Sequence, residues 1–96
     1  MPGYLIARVD VKDPQQYSKY TAVTPDAIAR HGGRFIVRGG PVKTLEGPEE
    51  NARIVVIEFP SQEAVVAFYH SPDYQEVKKL REGAAVGQFI AVAGVE

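Results

Sequence analysis

Apolar and polar residues alternate over residues 4–11, with Leu5, Ala7, Val9 and Val11 in one phase and Tyr4, Ile6, Arg8 and Asp10 in the other. A period of two sends successive side chains to opposite faces and predicts a first strand. The period then changes. Tyr17, Tyr20, Thr24, Ala27, Ile28 and His31 recur at helical spacing behind Asp13-Pro14, a carboxylate at the N-cap with proline in the first turn. Gln16 is placed to complete a capping-box-like pair. Pro25 lacks a backbone N–H and crowds the turn before it, so a kink or restart is expected near Thr24 and Pro25. Gly32 and Gly33 close the helix. Residues 34–38 alternate again, with Phe35 and Val37 opposing Arg34, Ile36 and Arg38, and predict a second strand. Gly39-Gly40-Pro41 and the polar run over 43–51 predict a long exposed loop. The β-branched run over 53–59 predicts a third strand, ending at Pro60. Ser61 is suited to cap a helix that carries Val65, Phe68 and Tyr69 inward. Ser71-Pro72-Asp73 predicts that this helix breaks and restarts before Tyr74, Val77, Leu80 and Ala84. Residues 88–95 supply a last strand.

The order β-α-β-β-α-β predicts an α+β, ferredoxin-like chain over residues 1–96, in which a four-stranded antiparallel sheet carries its helices on one face. Leu5, Ala7, Val9, Phe35, Val37, Val55, Ile57, Phe59, Phe89 and Ala91 form the apolar set assigned to the helix-covered face. The opposite phase holds Ile6, Arg8, Asp10, Arg34, Ile36, Arg38, Ile54, Val56, Glu58, Ile90 and Val92. So many large aliphatics on the open face of a sheet imply a cover. A second copy packed face to face, as a two-fold homodimer, is the simplest one.

Charge narrows the partners. Eleven Lys and Arg against twelve Asp and Glu give a formal net charge of -1. The overall field therefore steers toward neither nucleic acid nor an anionic membrane. The chain has no cysteine, hence no disulfide and no thiolate nucleophile or ligand. Two histidines, His31 and His70, form no metal signature, so neither a metal nor another cofactor is expected. The opening residues lack a basic segment followed by a long apolar run, so the expectation is a cytoplasmic protein rather than an exported or membrane-spanning one.

GGRFIVRGG at 32–40, LEG at 45–47, VVIEFPS at 55–61 and YHSPDYQEVKKLRE at 69–82 together resemble the domain-of-unknown-function 1330 family, within the dimeric α/β-barrel superfamily. The resemblance covers nearly the whole chain in order. It implies a ferredoxin-like protomer that pairs into a dimeric barrel, with no general reaction attached to the family. Carried over by motif, it draws attention to Tyr17, Gly33, Arg38, Gly39, Gly40, Glu46, Glu58, Ser71, Tyr74 and Arg81. Phe68 stands where members often carry tryptophan.

Each residue also has a local reading. Arg38 ends a strand before two glycines that let a ligand approach the backbone, and a planar guanidinium suits a carboxylate. An ion pair with Glu58 or Glu46 would use it equally well. Arg8 and Glu58 share a sheet face on strands expected to be parallel neighbours, which predicts a structural ion pair. Tyr17 and Tyr74 point inward, either as core packing or as pocket lining with a hydroxyl to donate. Ser71 reads locally as a helix N-cap, and Arg81 either reaches the Glu46 loop or complements a helix C-terminus. His31 is the weak candidate for an acid or base. Two functions remain open: a non-catalytic protein with a small organic-anion cleft near Arg38, or, by analogy with the superfamily, a cofactorless oxygenase-like or isomerase-like enzyme.

Overall fold

The computed structural model describes residues 1–95. Strands β1 (Gly3–Val11), β2 (Arg34–Arg38), β3 (Arg53–Phe59) and β4 (Ala85–Ala93) form one sheet in the order β2-β3-β1-β4. Helices α1 (Pro14–Arg30), α2 (Gln62–His70) and α3 (Pro72–Lys78) complete a ferredoxin-like α+β fold. A 3-10 turn, Lys79–Arg81, leads into β4, which begins and ends earlier than its sequence pattern suggests.

The caps act as their residue types require. The Asp13 carboxylate accepts from the Gln16 backbone N–H at 3.1 Å, but the Gln16 side chain reaches across to donate to the Leu80 carbonyl at 3.0 Å instead of closing a capping box. Ser61 accepts from the Ala64 N–H at 3.1 Å. Ser71 both starts α3, accepting from the Tyr74 N–H at 3.3 Å, and ends α2, donating to the Phe68 carbonyl at 2.7 Å. The expected restart at Pro25 does not occur: α1 runs through it as one helix. Gly32, at φ +78°, provides the left-handed turn after α1.

All neighbouring strands are antiparallel, including β1 and β3, which corrects the expectation of a parallel pair. The reason is connectivity. The β2–β3 hairpin reverses the chain once, so β3 runs against both β2 and the strand that crosses over to β2. Leu5, Ala7 and Val9 of β1 and Val55, Ile57 and Phe59 of β3 are buried beneath the helices, as the alternation predicts. Phe68 joins them, its ring centroid 5.1 Å from Phe59 and 4.6 Å from Tyr74.

Strand β2 departs from simple alternation. Phe35 lies opposite Ile57 and Val37 opposite Val56, so two steps on β2 meet one on β3 and Ile36 is the extra residue of a bulge. Beyond it the phase inverts. Arg38 falls opposite Val55, on the helix-covered face, and Val37 turns to the open face at 38% exposure. Simple alternation predicts the reverse, with Val37 inward and Arg38 outward. Val37, Val56, Ile6 and Ile90 now form one apolar row across all four strands of the open face.

Candidate functional site

The inverted end of β2 faces α1 across a small cavity of about 30 Å³ that continues the core toward the surface. Tyr17, Tyr20 and Thr24 of α1, Phe35 and Arg38 of β2, and Arg53 of β3 are among its walls. Outside it lies an open cleft of about 830 Å³, bounded by α1 and by the chain between β2 and β3. Tyr17, Thr21, Arg38 and Arg53 line both spaces, so the two meet at these four side chains.

The meeting point is cationic. The Arg38 guanidinium lies over the Phe35 ring, 4.4 Å from its centroid, and donates from Nη2 to the Thr21 carbonyl at 2.8 Å. Arg53 sits 5.9 Å from the Tyr17 ring centroid, and its Nε is buried without a hydrogen-bond partner. A buried donor left unpaired carries a desolvation cost of about 1–3 kcal/mol, which an incoming acceptor would relieve. Gly39 makes room for Arg53: its φ is +69°, and a Cβ there would come within 2.2 Å of Arg53 Nη1. Among the described residues no carboxylate lines the inner cavity. Glu50 reaches the outer cleft, but both its oxygens are engaged by Arg8.

The phenols are donors. Burial pushes the Tyr17 hydroxyl up from its ordinary value, and the neighbouring Arg53 and Arg81 offset this only in part. Burial also pushes Tyr20 up, reinforced by Tyr74, with which it shares a hydrogen bond of 2.7 Å. Both therefore hold their protons at neutral pH. Arg81 lies behind this pair, 4.3 Å from the Phe89 ring centroid and 5.6 Å from that of Tyr20. Its burial lowers the guanidinium pKa, but Tyr74 and Tyr20 outweigh that and raise it, so the charge persists.

The residues singled out in the sequence divide accordingly. Tyr17, Arg38, Gly39 and Gly40 bound the cleft, and Tyr74 lines the inner cavity. Arg81 is buried in the last turn of the 3-10 helix, its guanidinium against the Tyr20 and Phe89 rings. Ser71 is a buried cap between α2 and α3. Glu46 sits on the exposed loop, lines neither space, and makes no ion pair among the described residues; Glu50 is the loop carboxylate that approaches the cleft. His31 also lies outside. Its Nε2 is 3.1 Å from both Asp73 carboxylate oxygens, and its ring packs edge-on against Phe68.

Arg8 and Glu58 are not partners. In the antiparallel register Arg8 faces Ile54 and Glu58 faces Tyr4, a separation of about 13 Å along the strand. Arg8 pairs with Glu50, while Glu58 accepts from Arg34 Nε at 2.8 Å and from the Tyr4 hydroxyl at 3.3 Å. Arg53 carries a signal of its own in the sequence: it continues the phase of Val55, Ile57 and Phe59, placing a cation on a core-facing position.

Residues 2–95 match the family described as a domain of unknown function, DUF1330. The chain belongs to the DUF1330 family. A protein of unknown function from Rhodopseudomonas palustris superposes on this DUF1330 chain with a TM-score of 0.76 at 25% identity, over 99% of this chain and 83% of that one. SnoaB, a cofactor-independent oxygenase from Streptomyces nogalater, superposes with a TM-score of 0.69 at 14% identity, over 99% and 94%. A dimeric ferredoxin-like protein of unknown function from Thermobifida fusca gives 0.59 at 15% identity, over 98% and 92%. No curated protein matches this DUF1330 chain. At these identities the last two likenesses concern the fold. Among the described residues no helix is long and apolar enough to cross a membrane, and no group of three or more His, Asp or Glu could hold a metal ion.

Proposed function

We propose that this DUF1330 protein binds a small organic anion at the junction of the inner cavity and the outer cleft, as a homodimer paired through its open sheet face. The observation that carries the reading is that Arg38, Arg53 and Tyr17 line both spaces, with no carboxylate among the described residues in the inner cavity to neutralise the two cations. Two guanidinium forks and a phenol suit a carboxylate. Binding is favoured over catalysis because burial keeps the Tyr17 and Tyr20 hydroxyls protonated, while His31 faces Asp73 elsewhere. The oxygenase-like alternative has the fold of SnoaB in its favour, and nothing more specific. The dimer is supported by the apolar row of Val37, Val56, Ile6 and Ile90, and by the dimeric description of the T. fusca neighbour.

Thermal unfolding with a panel of organic carboxylates tests the site. The melting temperature should rise with some acids and not with the matching alcohols. Arg53→Gln should remove the response while light scattering reports an unchanged assembly. A panel that leaves the wild type unmoved, or a response that survives in Arg53→Gln, would sink the reading.

A further inference from the structure

Resting on the anion-site reading above, we infer that the ligand is a short, unbranched aliphatic carboxylate. Its head would lie between Arg38 and Arg53, and a tail of about two or three carbons would fill the inner cavity.

Polarity sets the orientation. The cations sit at the junction, and inward from them the walls are the apolar side chains of Ala7, Val9, Val55 and Phe35. Tyr20 and Tyr74 also line this space, and share one hydrogen bond of 2.7 Å in which one hydroxyl donates and the other accepts. An amphiphile with its charge at the junction would bury its apolar end against these aliphatic and aromatic walls. It would also supply the acceptor that the buried Arg53 Nε lacks.

Volume sets the length. The inner cavity measures about 30 Å³. A cavity that takes benzene is about 150 Å³, roughly five times as large. The space therefore admits about two or three heavy atoms and excludes a six-membered ring. Adding a carboxyl carbon gives acids of about three or four carbons, such as propionate and butyrate. Longer chains would have to displace close-packed core side chains.

Calorimetric titration of the full chain with straight-chain acids from acetate to octanoate, with benzoate and 1-butanol alongside, tests this. Affinity should peak at propionate or butyrate and fall at least about fivefold by hexanoate and for benzoate, the usual scale of overpacking. 1-Butanol should not bind. Two lining variants should move the peak in opposite directions: Ala7→Val toward acetate by reducing the cavity, and Val55→Ala toward longer acids by enlarging it. If one variant fails to fold, the other still carries the test. Affinity that climbs steadily to octanoate, a preference for benzoate, or a peak unmoved by a folded lining variant would overturn the short-chain assignment while leaving the anion site standing. Failure of every carboxylate to bind the wild type would overturn the anion site as well.

Discussion

Arg38 donates a hydrogen bond of 2.8 Å to the carbonyl of Thr21, the acceptor that Pro25 leaves without its helical donor. In an α-helix the N–H of residue 25 would bond to the carbonyl of residue 21, and proline has no N–H to give. The guanidinium supplies the missing donor from the neighbouring strand. The Thr24 hydroxyl donates to the same carbonyl at 3.4 Å, so this acceptor stays paired as α1 runs through Pro25, and a residue of the candidate site is tied to the helix above it.

The coupling has a measurable consequence. Arg38→Ala should cost about 1 kcal/mol in urea unfolding, the scale of one partly exposed, charge-assisted hydrogen bond. Pro25→Ala should stabilise the protein by about 1–3 kcal/mol as the helix recovers its own bond. In the Pro25→Ala background the cost of Arg38→Ala should shrink toward zero, giving a coupling of about 1 kcal/mol. Strictly additive effects would contradict the shared acceptor.

The same arginine shows where the sequence is readable and where it stops. Alternation in β1 and β3 identifies their buried faces because each strand stays in register along its length. Alternation in β2 fails after Phe35 because Ile36 is inserted against a single step of β3, and a five-residue strand holds too few positions to reveal a change of phase. The break at Ser71 is legible because a capping hydroxyl before proline acts locally. The partners of Arg8 and Glu58 are not, because long-range ion pairs depend on strand direction and register. Arg53 was legible as a charge in a core phase, but its significance depends on Gly39, which only the folded loop brings beside it.

Gly39 gives the next prediction. Gly39→Ala places a side chain at φ +69° and a Cβ within 2.2 Å of Arg53 Nη1. The backbone conformation should cost about 1 kcal/mol, and the guanidinium must move out of the junction. Any carboxylate that stabilises the wild type should then bind at least about tenfold more weakly, whereas Gly40→Ala, with nothing near its Cβ, should be close to neutral in ligand affinity. Equal effects of the two substitutions in calorimetric titration would count against Arg53 as a ligand contact.

Acid should loosen the joint between α1 and α3. The Ser71 hydroxyl, His31 and Arg30 hold the Asp73 carboxyl well below its ordinary 3.8. A carboxyl depressed in the folded state contributes stability that is fully present above its unfolded value and is lost as pH falls below it. Stability should therefore decline from about pH 4 downward, and Asp73→Asn should flatten that part of the profile while lowering stability at neutral pH. Glu58, held low chiefly by Arg34, titrates in the same direction and should leave a residual slope in the variant. Urea midpoints measured between about pH 2 and 7 in both proteins check this; parallel profiles would exclude Asp73 as a source of acid sensitivity.

The open sheet face carries the last prediction. The bulge that turns Arg38 inward also turns Val37 outward, completing the row of Val37, Val56, Ile6 and Ile90. Rows with charged members flank it: Arg34 with Glu58 on one side, and Arg8 bound to Glu50 on the other. An apolar centre with a paired polar rim is the composition of a homodimer interface, and a two-fold axis through the row would lay it across its own copy. Ile90 is 44% exposed in the protomer, so Ile90→Lys should leave the fold intact while burying an unpaired ammonium at the centre of the dimer. The expected cost of about 3 kcal/mol or more weakens association at least about a hundredfold. Light scattering at micromolar concentration should report a dimer for the wild type and a monomer for Ile90→Lys, with unchanged circular dichroism. A monomeric wild type, or a variant that still dimerises, would mean that something other than a second copy covers this face.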